Sequence, residues 1–295
     1  TIASLGYNEC LTYSFIDQAA ARLFGGGQDI TKLENPISSE MSHMRPDLLA
    51  GLLQAVSRNQ DRGFSDMALF EVGPAFHGGE PEEQHLQVAG LMVGRTGPKD
   101  VHSESRRVDL YDAKADVEIV LAALGAPEKT VVIREGPDWW HPGRHGRICL
   151  GAKKVLAVFG EIHPRILREM DVKGQAVAFS IWPEVIPIPR KLIATKPALN
   201  LNDLQAVERD FAFVVDQKVD SVKLINAVLG VDKDLIENVR LFDEFTGGGI
   251  EEGKKSLALT VRLQPKNSTL KDDDIKALSD KLIEKVWKVT GGDLR

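Results

Sequence analysis

The chain has 295 residues, 43% hydrophobic and 27% charged, with a net charge of −6. This length allows two domains with separate cores, and the acidic balance argues against a protein that holds nucleic acid mainly by bulk positive charge, while allowing a local basic patch. With only two cysteines, no signal-like segment and no apolar run of about 20 residues, we expect a cytoplasmic protein without a membrane span. The start at Thr1, within structured-looking sequence, predicts a fragment of a longer protein.

Residues 35–59 combine an Asn-Pro turn, a polar loop and a clearly patterned helix. Pro46 suits a first helical position, and Asp47 suits the positive end of the helix dipole. Apolar residues then recur at helical spacing, which predicts a helix packed on a core sheet. This stripe consists of Leu48, Leu49, Leu52, Leu53 and Val56.

Strands and helices alternate through the next 120 residues. Alternating and continuous apolar runs predict strands at 67–76, 87–93, 131–134, 147–150, 155–161 and 176–181, and amphipathic spacing predicts a helix at 112–124. Frequent hairpin-like turns favour an α+β domain built around a mainly antiparallel sheet.

A proline-rich segment separates this region from the rest of the chain. Pro183, Pro187, Pro189 and Pro197 are typical of a semi-rigid linker. We therefore predict a first domain over residues 1–190, a linker over 191–200 and a second domain over 201–295.

The second domain follows a simple order of elements. The pattern predicts a strand at 209–216, a helix at 221–229, strands at 236–245 and 256–264, a helix at 271–289 and a short last strand at 292–295. This βαββαβ order is the ferredoxin-like arrangement.

The sequence offers little evidence of catalytic or metal chemistry. His141 and His145 have a spacing that would share a helix face, but Pro142 and Gly143 between them favour a turn, so a structural role is preferred to a metal site. The acidic run at 272–274 complements a helix N-terminus better than it predicts a magnesium site. The glycines at 25–27 lack the Lys-Ser/Thr of a phosphate-binding loop.

Alternation along the predicted strand 256–264 defines two faces. Four apolar residues, Leu257, Leu259, Val261 and Leu263, should meet the helices, and four others, Ser256, Ala258, Thr260 and Arg262, should lie on the opposite, open face. On the neighbouring strand Leu241 and Phe245 should point inward, leaving Arg240, Phe242 and Glu244 outward. Such a face suits unpaired RNA bases. Composition slightly favours an ordinary solvated or interface surface, because residues 197–295 carry fifteen basic against eighteen acidic side chains.

Several ordered motifs carry a resemblance to a known family. They are LGYNECLTYSF at 5–15, NPISSEMSHMRPDLLAGLL at 35–53, ALFEVGPAF at 68–76, HPGR at 141–144, GEIHP at 160–164, ERDFAFVVD at 208–216, VRLFDEFTGGGIEEGKKSLAL at 239–259 and the final GGDLR. Over essentially its whole length, the chain resembles the C-terminal part of the bacterial phenylalanyl-tRNA synthetase β-subunit family.

The resemblance implies a fold and a set of partners. It implies a catalytic-like domain related to class II synthetase cores, followed by a ferredoxin-fold anticodon-binding domain. In this family the active site, which uses ATP, Mg²⁺ and phenylalanine, lies on a separate α subunit. The β subunit joins it in an (αβ)₂ assembly and holds part of tRNAPhe. The family's N-terminal tRNA-binding, editing and magnesium-associated domains have no counterpart here, so proofreading is not expected.

One position bears on catalysis. Class II cores use an arginine, placed after a strand resembling FEVGPAF, to bind the ATP α-phosphate, and here His77 follows Phe76. Class II cores also use a glycine-rich strand ending in arginine, and none precedes the proline segment. Without these cations the charge that develops at phosphate lacks its usual stabilisation. We therefore expect no catalytic residue, cofactor site or metal site within this chain. A further departure from the family pattern is Ala115, where glycine is expected.

Two sets of contact residues follow from the open face and from the resemblance. The RNA-binding candidates are Arg209, Arg240, Phe242, Glu244, Lys254, Lys255, Ser256, Thr260 and Arg262. The subunit-interface candidates, which lie in the counterpart of the class II dimer-interface region, are Asn35, Pro36, Ser38, Ser39, Glu40, Met44 and Arg45. Two alternatives stay open: a self-sufficient class II ligase, and a purely structural interaction module without RNA contact.

Overall fold

The computed structural model of the chain describes residues 1–98, 100–102, 104–188, 198 and 201–295. The chain divides into two compact units, Thr1–Leu192 and Ile193–Arg295. Except for Ala198, the linker predicted at 191–200 lies outside the described residues.

The first unit contains nine strands and four α-helices among its described residues. The strands are β1 (Asn8–Glu9), β2 (Phe15–Ile16), β3 (His43–Met44), β4 (Met67–Phe76), β5 (Gln84–Val93), β6 (Val131–Ile133), β7 (Trp140–Leu150), β8 (Lys154–Ile162) and β9 (Ala176–Ile181). The helices are α1 (Gln18–Leu23), α2 (Leu49–Gln60), α3 (Leu110–Ala123) and α4 (Pro164–Glu169).

A seven-stranded sheet in the order β1-β4-β5-β9-β8-β7-β6 forms the centre of this unit. Its pairs are antiparallel except for the short parallel pair β1–β4. All six residues of β9 are buried, because this strand lies between β5 and β8 and helices cover both faces of the sheet. A strand covered on both faces reads as a continuous apolar run, as AVAFSI does.

The two faces of the sheet belong to two separate apolar clusters. The stripe of α2 packs with α1, α4 and residues such as Leu69 and Ala178 on one face. Helix α3 packs through Val117 and Leu121 on the other face, against residues such as Phe70 and Phe179. Successive residues of one strand thus serve opposite cores, as strand geometry requires.

Helix α2 begins at Leu49, so the predicted start at Pro46 is wrong by three residues. The reason is local hydrogen bonding. The Asp47 carboxylate accepts the N–H of Leu49 at 2.8 Å, and the Gln87 side-chain oxygen accepts the N–H of Leu48 at 3.1 Å. Side chains thereby satisfy donors that a longer helix would have left unpaired.

Strand β7 is longer than the predicted strand at 147–150, since it begins at Trp140. It includes the segment with Pro142 and Gly143, where the pairing with β8 changes register between Trp140 and His145. His141 and His145 are therefore part of an irregular strand, where they cannot share a helix face.

The second unit has the predicted βαββαβ order, and the predicted fold class is confirmed. Its elements are β10 (Val207–Asp216), α5 (Ser221–Leu229), β11 (Ile236–Phe245), β12 (Lys254–Leu263), α6 (Asp272–Thr290) and β13 (Asp293–Leu294). The sheet order is β11-β12-β10-β13, and the apolar residues of α5 and α6 pack on one of its faces. The other face carries no helix among the described residues.

Candidate nucleic-acid and subunit interfaces

In the first unit, the side chain of Arg45 lies in a buried polar network. Its Nη1 lies 2.7 Å from Glu71 Oε1 and donates to Thr12 Oγ1 at 2.9 Å, while Nε donates to the carbonyl of Pro74 at 2.9 Å. Both charged side chains are only 2% exposed. Because its guanidinium is enclosed, the side chain of Arg45 is not available for the direct subunit contact that was predicted for it.

Two glycines make room for this network. A Cβ at Gly73 would lie 2.7 Å from Arg45 Nη2, and one at Gly51, in the first turn of α2, would lie 2.3 Å from Thr12 Oγ1. Thr12 Oγ1 also donates to Glu71 Oε2 at 2.7 Å. The segment that carries Arg45, the β4 strand and the segment before β2 are thus held together through one ion pair and one hydroxyl, and α2 packs closely on that hydroxyl at Gly51. The sequence signal for it was the glycine within the helical pattern, which indicates a close approach.

Asp47 is a second buried acid beside this network. Burial raises the pKa of its carboxyl to about 6, although hydrogen bonds from Leu49 and Gln87 and the nearby Arg45 charge act in the opposite direction. The Gln87 amide donates to Asp47 Oδ2 at 3.0 Å. Asp47 was predicted to interact favourably with the helix dipole. It lies at the start of the helix as predicted, but in a buried position, where its charged form is disfavoured.

His77 directly follows β4, the strand that ends in FEVGPAF. Its ring stacks on that of His85, with centroids 4.2 Å apart. Burial lowers the pKa of His77, and burial together with the neighbouring His77 lowers the pKa of His85. Near neutral pH both rings are therefore uncharged, so this position offers no fixed cation to a phosphate.

The predicted subunit-contact loop is accessible apart from its last members. Residues 34–40 are all exposed, which includes the candidates Asn35, Pro36, Ser38, Ser39 and Glu40, while Met44 is half-buried in β3. Large apolar side chains accompany this loop: Ile37 within it is 89% exposed, and Leu11 and Tyr13 are 88% and 71% exposed. The segment with Leu11 and Tyr13 leads into β2, whose Phe15 pairs with Met44 of β3. This group of apolar side chains was missed by the sequence reasoning.

In the second unit, the pairing register identifies the residues of the open face. The core prediction for β12 is confirmed, because Leu257, Leu259, Val261 and Leu263 are all buried in the cluster with α5 and α6. Thr260 and Arg262 lie on the opposite face, and Arg240 joins them because it pairs with Thr260. Arg240 is exposed and, among the described residues, has no carboxylate within salt-bridge distance.

A β-bulge in β11 reverses the predicted alternation at its end. The register shifts between Leu241 and Asp243, so that Phe245 pairs with Ser256 and Glu244 with Leu257. Because directly paired residues share a face, Phe245 lies on the open side, and the prediction that it points inward is wrong. Phe242, the extra residue of the bulge, is 51% exposed.

Arg295 adds a cation to this part of the open face. Its guanidinium carbon lies 5.7 Å from the centroid of the Phe245 ring. Its backbone N–H donates to the carbonyl of Ala212, whose strand partner Ala258 also lies on the open face. Neither Phe245 nor Arg295 was predicted as a site residue, because no local pattern reveals a bulge.

The other basic candidates on this unit are engaged by acidic side chains. Arg262 lies 2.7 Å from Glu237 and 3.2 Å from Glu208, and these partners raise its pKa. Thr260 donates to Asp210 at 2.7 Å, and Lys254 lies 2.6 Å from Glu251. The open face is thus less basic in effect than its composition indicates.

Four of the RNA-binding candidates are not available on the open face. Ser256 is 4% exposed, so a direct contact to RNA is not available to it. Lys255 and Glu244 lie on the helix side with Leu257, with their charged groups 3.6 Å apart. Arg209 pairs with Val261 and so also lies on the helix side, where it is exposed.

Among the described residues, no group of three or more His, Cys, Asp or Glu side chains is placed to hold a metal ion. No helix there combines the length and apolar character needed to cross a bilayer.

Comparison with known proteins matches both units. The family model for the phenylalanyl tRNA synthetase beta chain CLM domain matches residues 1–182, and that for the ferredoxin-fold anticodon binding domain matches residues 203–295. Curated phenylalanine–tRNA ligase β subunits from Ruegeria pomeroyi, Cereibacter sphaeroides and Rhodospirillum rubrum are 70%, 62% and 48% identical over the whole chain. The chain spans 37% of the length of each of these relatives. It belongs to the phenylalanine–tRNA ligase β-subunit family.

Proposed function

We propose that this chain is a non-catalytic portion of the β subunit of phenylalanine–tRNA ligase, which supports assembly with the catalytic α subunit and binds the anticodon region of tRNAPhe. The observation that carries this proposal is the match of two successive family models, a β-chain domain followed by an anticodon-binding domain. The complete enzyme attaches phenylalanine to tRNAPhe with ATP.

Catalysis is assigned to the partner because of the chemistry at His77. Adenylate formation needs a cation where charge develops on the α-phosphate. His77 is stacked on His85 and has a lowered pKa, so it is neutral under cellular conditions. ATP and Mg²⁺ therefore belong to the α subunit, in a cytoplasmic (αβ)₂ assembly that serves translation.

Subunit contact is assigned to the loop 34–40 and to the exposed apolar side chains that precede β2. Leu11, Tyr13 and Ile37 are each more than two-thirds exposed, whereas large apolar side chains normally avoid such exposure in groups. A partner subunit that covers them removes this surface from water. Arg45 contributes indirectly, since its network fixes the strand that carries Met44.

RNA contact is assigned to the edge of the open face formed by Arg240, Phe242, Phe245 and Arg295. Two exposed aromatic rings offer stacking platforms for unpaired bases, and the two arginines offer charge and planar hydrogen-bond donors. Arg262 and Thr260 are already held by carboxylates, so we give them a positioning role.

The subunit proposal is tested by co-expressing the chain with the α subunit and measuring capture. Leu11→Asp/Ile37→Asp should abolish capture, while Ile119→Asp, at a comparably apolar exposed position on α3, should leave it intact. Capture unaffected by the double variant contradicts the assigned surface. Absence of capture by the parent chain contradicts the assembly role itself.

The RNA proposal is tested by tRNAPhe affinity of the α-containing complex. Arg240→Gln/Phe242→Ala/Phe245→Ala should weaken binding strongly, and the matched change Lys276→Gln/Lys285→Gln on α6 should not. Unchanged affinity of the triple variant would favour a purely structural module. ATP–pyrophosphate exchange by the chain alone should be absent, and its detection would establish the alternative of a self-sufficient ligase.

A further inference from the structure

Two adjoining depressions on the first unit form a basic groove. One has a volume of about 500 Å³ and the other about 520 Å³. They share Arg107, Gly174 and Gln175, so they are continuous along the surface. This groove is far along the chain from the open face of the second unit, and none of the site residues predicted from the sequence lines it.

Cations dominate the lining of the groove. The first depression is lined by Arg95, Arg107 and Lys173 together with one acid, Asp66. The second is lined by Arg107, Arg144 and Arg168, with Glu161 and Asp171 as the acids. A local excess of positive charge in a chain of net charge −6 is the arrangement that holds a polyanion at a defined place.

Two of these arginines, Arg107 and Arg168, are exposed and have no carboxylate within salt-bridge distance among the described residues. Arg95 is also exposed and has no carboxylate partner there, but its guanidinium donates to the side chain and the carbonyl of Ser105. Only Arg144 is paired, through Nε at 3.0 Å from the buried Glu161. Arginines without acidic partners are not a general feature of the first unit, since Arg106 is paired with Asp112 and Arg147 with Glu135.

The floor of the groove is held by hydrogen bonds that do not use the cations. The side chain of Gln60, at the end of α2, donates to the carbonyl of Lys173 at 2.9 Å and accepts its N–H at 2.8 Å. Gln175 donates to the carbonyl of Val108 at 3.4 Å. The backbone that presents Arg107 and Lys173 is thus fixed. The charged end of Arg107 stays in solvent, and Lys173 Nζ lies 3.9 Å from the exposed Asp61.

An aromatic ring accompanies the charge. Phe64 lines the first depression and is 60% exposed. Arginines bind phosphate through paired N–H donors, and an exposed ring beside them stacks with an unpaired base. This combination fits a nucleic acid better than an acidic peptide, which carries no bases.

We propose that this groove binds the phosphodiester backbone of tRNA, with Phe64 against an unstacked base, as a second RNA contact of the subunit. The proposal rests on the proposed function, because tRNA is the polyanion that the subunit is proposed to hold. The contact adds affinity and orientation without reading the anticodon. Its loss weakens cognate and non-cognate tRNA alike, since backbone contacts carry no sequence information.

The test measures tRNAPhe binding by the complex of full-length β subunit and α subunit across salt concentrations. Arg107→Gln/Arg168→Gln should weaken binding about tenfold near 0.15 M salt and reduce the slope of log K against log[salt] by about 1.4 to 1.8. Phe64→Ala should weaken binding without changing that slope. Lys129→Gln/Lys153→Gln removes the same charge from exposed loops of the same unit and should change neither quantity.

The outcomes separate this proposal from the proposed function. Unchanged affinity and slope for the arginine variant overturn the groove while leaving tRNA binding by the complex intact. Failure of the parent complex to bind tRNA overturns both. If the arginine variant does not assemble, the proposal is tested by phenylglyoxal modification of Arg107 in the parent complex. Bound tRNA should slow this modification. Equal protection by inorganic pyrophosphate or by polyglutamate overturns the RNA assignment.

Discussion

Arg45 and Arg262 make the same kind of bond in opposite surroundings. Arg45 lies 2.7 Å from Glu71 with both side chains 2% exposed, and Arg262 lies 2.7 Å from Glu237 with both about half exposed. Buried ion pairs are strongly destabilising when one partner is lost, whereas exposed pairs contribute little. Both arginines were predicted as contact residues, but burial makes one a part of the architecture and leaves the other replaceable.

The largest effect is expected from removing the buried cation. Arg45→Met should lower the free energy of unfolding of the first unit by about 3 to 5 kcal/mol, because it leaves Glu71 charged and without its partner. Denaturation followed by the fluorescence of Trp139, Trp140 and Trp182 measures this. Arg45→Met/Glu71→Met should recover most of the lost stability. An Arg45→Met variant as stable as the parent would falsify the contrast between the buried and the exposed ion pair.

The next effect concerns the buried acid beside this pair. The pKa of Asp47 is raised by folding from its ordinary value near 3.8 to about 6. The folded state therefore holds the Asp47 proton more tightly than the unfolded state. The protonated carboxyl contributes to the free energy of unfolding below pH 3.8, and this contribution is lost as the pH rises through 6. We expect a decrease on the order of 3 kcal/mol over that window.

Asp47→Asn removes this titration. Its stability profile should lack the decrease that the parent shows between about pH 4 and 6.5. Asp138→Asn, at an exposed position, is the matched control, and its stability profile should show the same decrease as the parent. A parent profile that rises over the same window would show that burial does not dominate at Asp47.

A smaller effect is expected at Gly51. Alanine favours a helix interior by about 1 kcal/mol over glycine, but here its methyl group would meet Thr12 Oγ1 at 2.3 Å. Gly51→Ala should therefore be destabilising by about 1 to 3 kcal/mol. A double-mutant cycle with Thr12→Ala should reveal coupling between the two sites, and strictly additive effects would exclude the close approach.

The smallest effect is expected at the exposed pair. Arg262→Gln should leave the denaturation midpoint of the second unit indistinguishable from that of the parent, since solvent replaces what Glu208 and Glu237 provide. The fluorescence of Trp287 on α6 reports this transition. A shift as large as that of Arg45→Met would remove the distinction between the two surroundings.

Periodic features of the fold could be predicted from the sequence, and non-periodic ones could not. The inward positions of β12 and the stripe of α2 follow from spacing alone, and the structure has both. The reversal at Phe245 depends on one extra residue at Leu241–Asp243, for which the sequence FDEF carries no signal. The burial of Arg45 depends on Glu71, 26 positions away, and spacing gives no information on such a pair.

The site residues divide in the same way. Exposure of Asn35, Pro36 and Glu40 follows from a polar loop with an Asn-Pro turn, and the structure has them exposed. The groove of Arg107 and Arg168 joins segments that are distant in sequence, and their charges are unremarkable when read in order. Folding alone brings them to one surface.

The central position of β9 has a consequence for synthesis on the ribosome. This strand is the last of its sheet in the chain, yet it joins the half with β4 and β5 to the half with β7 and β8. Until residues 176–181 have emerged, β5 and β8 each present an unpaired edge, which is a template for aggregation. The first unit therefore completes its fold late in translation, and a nascent chain that stalls before β9 is the species that chaperones must protect.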